Sequence, residues 1–167
     1  MRKVLIIDTS ILCVWLDIPG MDTSGSDNDQ WNKLRVDQKI NDEEEKGTTF
    51  VLPLATIIET GNHIAQRGNR FNKANELADL MTKSAESISP WAAFSEQNDL
   101  WSIEKIKLLA ETWPTLATDG TSLGDATIKD VAEYYSQSGF DVEILTGDVG
   151  LKAYEPLTTP EQPRRRR

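Results

Sequence analysis

Four acidic residues, Asp8, Glu59, Asp125 and Asp148, have the type and placement to act together. Asp8 ends the run Lys3-Val4-Leu5-Ile6-Ile7, which reads as a strand buried on both faces. Glu59 falls in the early turns of the helix predicted after Phe50-Val51-Leu52, and Asp148 lies just beyond the strand predicted over Phe140 to Leu145. These three belong at the carboxyl-terminal edge of one sheet, where open α/β sheets place ligands. Asp125 falls in the first turn of a helix started by Ser122. Ile128 and Ala132, at i+3 and i+7, put it on the stripe facing the protein. Burying a carboxylate without a partner is costly, so these positions ask for a reason. One is that each acid caps a helix or pairs with a local cation. The other is that all four converge on a divalent metal, because hard cations such as Mg²⁺ take carboxylate oxygens. Such ions clamp an in-line attack on phosphorus and make an acidic cleft accept phosphate. That chemistry needs no histidine, and the only one here is His63.

The elements that would position these acids follow from pattern. Asp8 leads into a helix over about Thr9 to Leu16 that stops before Pro19-Gly20. Gly20 to Asp29 is small and polar, a loop. A mostly polar helix is predicted between Gln30 and Lys46, with Trp31, Leu34 and Ile40 as its apolar contacts. Asp42 to Glu45 reads as its solvated end. Helices are also expected over Leu54 to Gln66, and over Phe71 to Ser84 with Phe71, Ala74, Leu77, Ala78 and Met81 on one face. Trp91 and Phe94 sit in an irregular connector after Pro90. Asn98 to Trp113 reads as a helix closed by Pro114, with Ile103, Ile106, Leu109, Ala110 and Trp113 inward. The helix from Ser122 runs to about Ser138 with Gly139 as its cap, and a short one after Asp148 ends near Tyr154. Strands alternating with helices make a three-layer α/β/α domain around a mainly parallel sheet. It spans residues 1–154, with 19–49 as a loop-plus-polar-helix insertion. Residues 155–167, with three prolines and Arg164 to Arg167, read as a disordered tail.

Composition narrows the function. With 27 acidic against 18 basic residues, the net charge is −9, which counts against non-specific binding of nucleic acid. The apolar runs are too short to span a bilayer. One cysteine, Cys13, excludes an internal disulfide and a cysteine-rich zinc site; it reads as a small buried hydrophobe. With no secretory signal at the N-terminus, a cytoplasmic protein is the expectation. Trp15, Trp101 and Trp113 suit packing, whereas Trp31 and Trp91 suit a protein interface.

In order, hydrophobic strand-Asp8-Thr9-Ser10, a second strand followed by Glu59, Ser122-Leu123-Gly124-Asp125-Ala126 and Leu145-Thr146-Gly147-Asp148 resemble the PIN-domain ribonucleases, over roughly Lys3 to Tyr154. The resemblance implies a PIN-like fold, Mg²⁺ or Mn²⁺ as cofactor, and hydrolysis of RNA phosphodiester bonds. It implies that Asp8, Glu59, Asp125 and Asp148 bind the metal, supported by Thr146 and by Thr9 or Ser10. Many relatives are toxins restrained by an antitoxin, so an antitoxin or other inhibitor protein is the partner implied, alongside an RNA substrate; a homodimer is also compatible with the chain. The insertion at 19–49 and the acidic balance depart from the family pattern. For substrate grip, the helix after Glu59 offers Asn62, His63 and Arg67, followed by Arg70 and Lys73. The alternatives are a non-catalytic PIN-like module that binds RNA or protein, and a haloacid-dehalogenase-like phosphohydrolase. The latter wants a second Asp where Ser10 stands.

Overall fold

The structure, a computed structural model, describes residues 1–92 and 94–158. Its elements in chain order are β1 (Lys3–Ile7), α1 (Thr9–Trp15), β2 (Thr23–Ser24), β3 (Trp31–Asn32), α2 (Lys33–Glu45), β4 (Thr49–Val51), α3 (Leu54–Ala65) and α4 (Arg70–Ala85). A 3-10 helix over Phe94–Trp101 follows, then α5 (Ile103–Thr118), α6 (Leu123–Gln137), β5 (Asp141–Leu145) and α7 (Val149–Lys152). β1 is the central strand of a three-stranded sheet, parallel to β4 on one side and to β5 on the other. Parallel neighbours need crossovers, which the intervening helices supply.

Alternation along β1 sends its residues to two different cores. Leu5 and Ile7 pack with Phe50 and Leu145 against α1, Val36 and Ile40 of α2, Ile64 of α3, and Leu77 and Leu80 of α4. Val4 and Ile6 pack with Val51, Val142 and Ile144 against Ile128, Val131, Ala132 and Tyr135 of α6. Val4 to Ile7 are fully buried, each contributing about 1.5–3 kcal/mol of transfer free energy. The domain is thus a small, parallel α/β unit with helices on both faces, as expected. Among the described residues no helix is long and apolar enough to cross a membrane.

The insertion differs most from expectation. A separate antiparallel hairpin, β2–β3, stands inside the segment read as a loop and a helix start. α2 begins only at Lys33, because the Asn32 side chain accepts the Arg35 N–H at 2.9 Å and caps it there. Its inward contacts are Val36 and Ile40; Leu34, on the opposite side, is exposed. Glu43 is not at a solvated end: it is 1% exposed. It accepts Lys3 Nζ at 2.8 Å, Lys39 Nζ at 2.9 Å and the Thr48 hydroxyl at 2.7 Å. Lys3 and Lys39 also bind Glu143 of β5, at 2.6 and 2.9 Å. Two lysines and two glutamates therefore bolt α2 to the sheet. Burial alone would push the Glu43 carboxyl up, but the hydrogen bonds from Lys3, Thr48 and Lys39 outweigh it and hold it at about 2.

Other departures are local. α4 buries Leu77, Leu80 and Ser84, so Phe71 and Met81 face outward; the packed stripe is rotated from the one that apolarity suggested. α5 continues through Pro114 to Thr118 and buries no residue. On such an outer helix the carbonyl that Pro114 leaves unpaired is open to water, which lowers the penalty. Ile103 and Ile106 are exposed and Trp101 is 39% exposed. Trp91 is core rather than interface: it stacks on Trp15 at 6.3 Å, meets Phe50 edge-on, and forms a bridge to Phe50. Cys13 is buried as expected, and burial pushes its thiol up to about 11. Of the expected tail, Glu155–Thr158 lie along β5, with Glu155 Oε2 accepting the Ile144 N–H at 2.7 Å and the Thr158 hydroxyl donating to Asp141. Residues 159–167 lie outside the described residues.

The Glu43 network has a pH signature. Its carboxyl is depressed on folding, so its contribution is full above about pH 4.5 and is lost as pH falls through about 2. Glu43→Gln is expected to cost about 3 kcal/mol at pH 7, measured by urea unfolding. Its stability curve will fall less steeply than that of the parent between pH 4.5 and 2.

Candidate active site

The end of β1 and the start of α7 are held together through one carboxylate oxygen. Asp8 is the N-cap of α1, and its Oδ2 accepts the Ser10 N–H at 3.3 Å and the Ser10 hydroxyl at 2.7 Å. The Thr146 hydroxyl donates to the same oxygen at 2.8 Å, across 138 residues of chain. Backbone groups orient both hydroxyls: Gly147 N–H donates to Ser10 Oγ at 3.1 Å and Asp148 N–H to Thr146 Oγ1 at 3.0 Å. Each hydroxyl accepts from the backbone and so points its hydrogen at Asp8. Asp8 and Thr146 are 5% and 7% exposed. All three bonds fall on Oδ2; among the described residues Oδ1 takes none. Asp8 therefore caps α1 and is also tied to the loop after β5.

The other acids are fixed similarly. Glu59 of α3 accepts the Thr9 hydroxyl on Oε2 at 3.1 Å. Its Oε1 lies against Gly124: a Cβ there would stand 2.2 Å from that oxygen, so a larger residue would push the Glu59 carboxyl from its present position. Asp148 caps α7, Oδ1 accepting the N–H groups of Gly150 and Leu151 at 2.7 and 3.2 Å. Ser122 caps α6 by accepting the Asp125 N–H at 3.0 Å, which presents the half-buried Asp125 carboxyl in the first helical turn. Asp8, Glu59 and Asp148 thus each spend one oxygen on their own positioning, and among the described residues the other accepts no hydrogen bond. Ser122 was legible as the start of α6; the closeness of Gly124 to Glu59 was not, because it emerges only from the packing of α3 against α6.

Asp125 lies within the field of the other three acids. Burial raises the Asp125 carboxyl above its ordinary value. The charges of Asp8, Asp148 and Glu59 raise it further, against a hydrogen bond from Ser122. A cation is what such a set lacks, and carboxylate oxygens are the donors Mg²⁺ and Mn²⁺ accept. In donor type and mutual repulsion the residues fit such an ion. Their present side-chain arrangement is open: among the described residues no group of three or more His, Cys, Asp or Glu is set to hold a metal.

The residues expected to grip substrate are placed less favourably. His63 lies one turn beyond Glu59 in the last turn of α3, half-buried, with Asn62 exposed beside it. Arg67 follows the end of α3, eight residues past Glu59, and donates to the Pro19 carbonyl at 3.0 Å. Arg70 donates to the Arg67 carbonyl at 2.9 Å, and Lys73 pairs with Glu76 at 3.2 Å. These three cations are engaged by other groups of the chain, and among the described residues none bonds to any of the four acids.

Compared with protein-family models, with curated proteins and with solved structures, the chain gives no match. The electrostatic coupling can be tested directly. Asp148→Asn removes one exposed charge without touching the core, and the Asp125 carboxyl is expected to titrate at lower pH as a result. Side-chain carboxyl ¹³C shifts followed from pH 3 to 8 will read this; an unmoved Asp125 would mean the two carboxylates do not interact.

Proposed function

We propose that the protein is a PIN-like, divalent-metal-dependent endoribonuclease whose centre is Asp8, Glu59, Asp125 and Asp148. The observation that carries this reading is the hydrogen-bond set at the end of β1, in which Asp8 is tied to Thr146, two residues before Asp148, and the neighbouring Thr9 is tied to Glu59. The order and spacing of the motifs, which resemble those of PIN-domain ribonucleases, supply the reaction class. Mg²⁺ or Mn²⁺ held by Asp8, Asp125 and Asp148, with Glu59, would offset charge on the scissile phosphate and acidify an attacking water.

The chain's own residues prepare that chemistry. Ser10 and Thr146 hold Asp8 by Oδ2, so that Oδ1 has a fixed direction before any ligand arrives. Thr9 does the same for Glu59. Fixed donors need little reorganisation, which is where electrostatic catalysis gains its advantage. Asp125, raised by burial and by the charges of the other three acids, would gain from a counter-charge. The open arrangement of the acids favours a second reading, a PIN-like module that binds RNA or protein without turnover. On the first reading an inhibitor protein that covers the acids would silence the enzyme.

Cleavage separates the two. Purified protein is expected to cut mixed tRNA or single-stranded RNA with Mg²⁺ or Mn²⁺ and not with EDTA. Asp8→Asn should lower the rate by about 100-fold or more, ~2.7 kcal/mol at the transition state, while melting close to the parent. Metal-independent cutting, or full activity in Asp8→Asn, would overturn the assignment.

A further inference from the structure

The insertion does more than cover one face of the sheet. β5 is an edge strand of the sheet, and the β2–β3 hairpin belongs to a separate sheet. The hairpin reaches the loop after β5 nonetheless: a Cβ on Gly147 would stand 2.1 Å from Ser24 Oγ and 2.7 Å from the Gly25 nitrogen. Between the outer side of β5 and the insertion this leaves a cleft of about 440 Å³, within the range of small-molecule sites. Trp31 and Ser26 form its insertion side; Leu145, Gly147 and Val149 form the other; Thr146 and Asp148 bring it to the acid centre.

The charges lining this cleft are largely spent. Asp29 is bound by Arg35 at 2.7 Å and Glu143 by Lys3 and Lys39. Lys152 is bound by Glu155 and by the Ile144 carbonyl. Among the described residues lining the cleft, no free cation is offered to a phosphate. What remains, apart from Asp148 at the end shared with the acid centre, is an indole wall held by the Arg35 guanidinium 3.8 Å over its ring, the exposed Val149 side chain, and a few neutral polar groups. That chemistry suits a flat, uncharged, partly apolar heterocycle.

We infer that this cleft is a base subsite: it takes one unpaired nucleobase of the RNA, next to the phosphate that the acids address. The inference rests on the nuclease reading for its substrate and gives the insertion a function, selecting single-stranded RNA by a base withdrawn from its neighbours. A base inside a duplex keeps its faces stacked and does not enter. With few cations engaged, binding should depend only weakly on salt compared with proteins that grip the backbone.

The test uses the full chain, metal-free, and the four uncharged ribonucleosides as probes. NMR is expected to show saturable shifts of the Trp31 indole N–H and the Val149 methyls, and their loss in Ser26→Phe, which fills the cleft without entering the core. With RNA and Mg²⁺, Trp31→Ala and Ser26→Phe should each raise KM about tenfold with kcat nearly unchanged. If Trp31→Ala proves poorly folded, Ser26→Phe alone decides. Nucleoside shifts without any RNA cleavage would leave the subsite standing and the nuclease reading fallen. RNA cleavage with an unaltered KM in Ser26→Phe, or nucleoside shifts that survive in it, would overturn the subsite while leaving the nuclease intact.

Discussion

The Thr146 hydroxyl that donates to Asp8 Oδ2 at 2.8 Å is the contact on which the arrangement of the site depends. It joins the middle strand of the sheet to the loop after the last strand, and it does so at a carboxylate that is 5% exposed. A charge so placed must be bonded to be tolerated. Ser10 and Thr146 meet that demand on one oxygen only, so the solution to a folding problem leaves the second oxygen oriented and unspent. The same division recurs at Glu59, with Thr9, and at Asp148, with the amides of α7. Burial, and then the charges of Asp8, Asp148 and Glu59, raise the Asp125 carboxyl, which is the cost of placing it among them. On the proposed reading that cost is relieved when a divalent cation arrives.

The insertion is organised by a second set of charges. Glu43 and Glu143 against Lys3 and Lys39 fasten α2 to β1 and β5, away from the acid centre. Because α2 is fastened, the hairpin that precedes it has a defined position beside Gly147. The two networks differ in one respect. Around Glu43 the lysines match the carboxylates, whereas no lysine or arginine pairs with Asp8, Glu59, Asp125 or Asp148 among the described residues. A fold able to neutralise its carboxylates in one place leaves them exposed to each other in another.

Much of this was legible in the sequence where local pattern and tertiary packing agree. The run Val4 to Ile7 could only be a doubly buried strand, and Asp8 after it could only stand at the strand's carboxyl end. Ser122 with Ile128, Val131, Ala132 and Tyr135 foretold α6 and its buried face. What was missed depends on partners distant in sequence. Glu43 looks like one of four solvated acids until Lys3, forty residues earlier, is brought beside it. Trp91 looks stranded in a connector until Trp15 and Phe50 surround it. Phe71 and Ile103 satisfied a helical apolar stripe, yet α4 and α5 turn them outward, because each helix packs through a neighbouring stripe or hardly at all. Two-residue strands such as β2 and β3 carry too little periodicity to be read.

The central claim is that the four acids form one cation site, and calorimetric titration with Mn²⁺ tests it most directly. The parent protein should bind Mn²⁺ saturably near neutral pH, with proton release that grows as the pH is lowered toward the raised Asp125 pKa. Binding should be lost in Asp125→Asn, a change at a half-buried side chain outside the Asp8 hydrogen-bond set. Absence of heat in the parent, or the same stoichiometry and affinity in Asp125→Asn, would contradict the account.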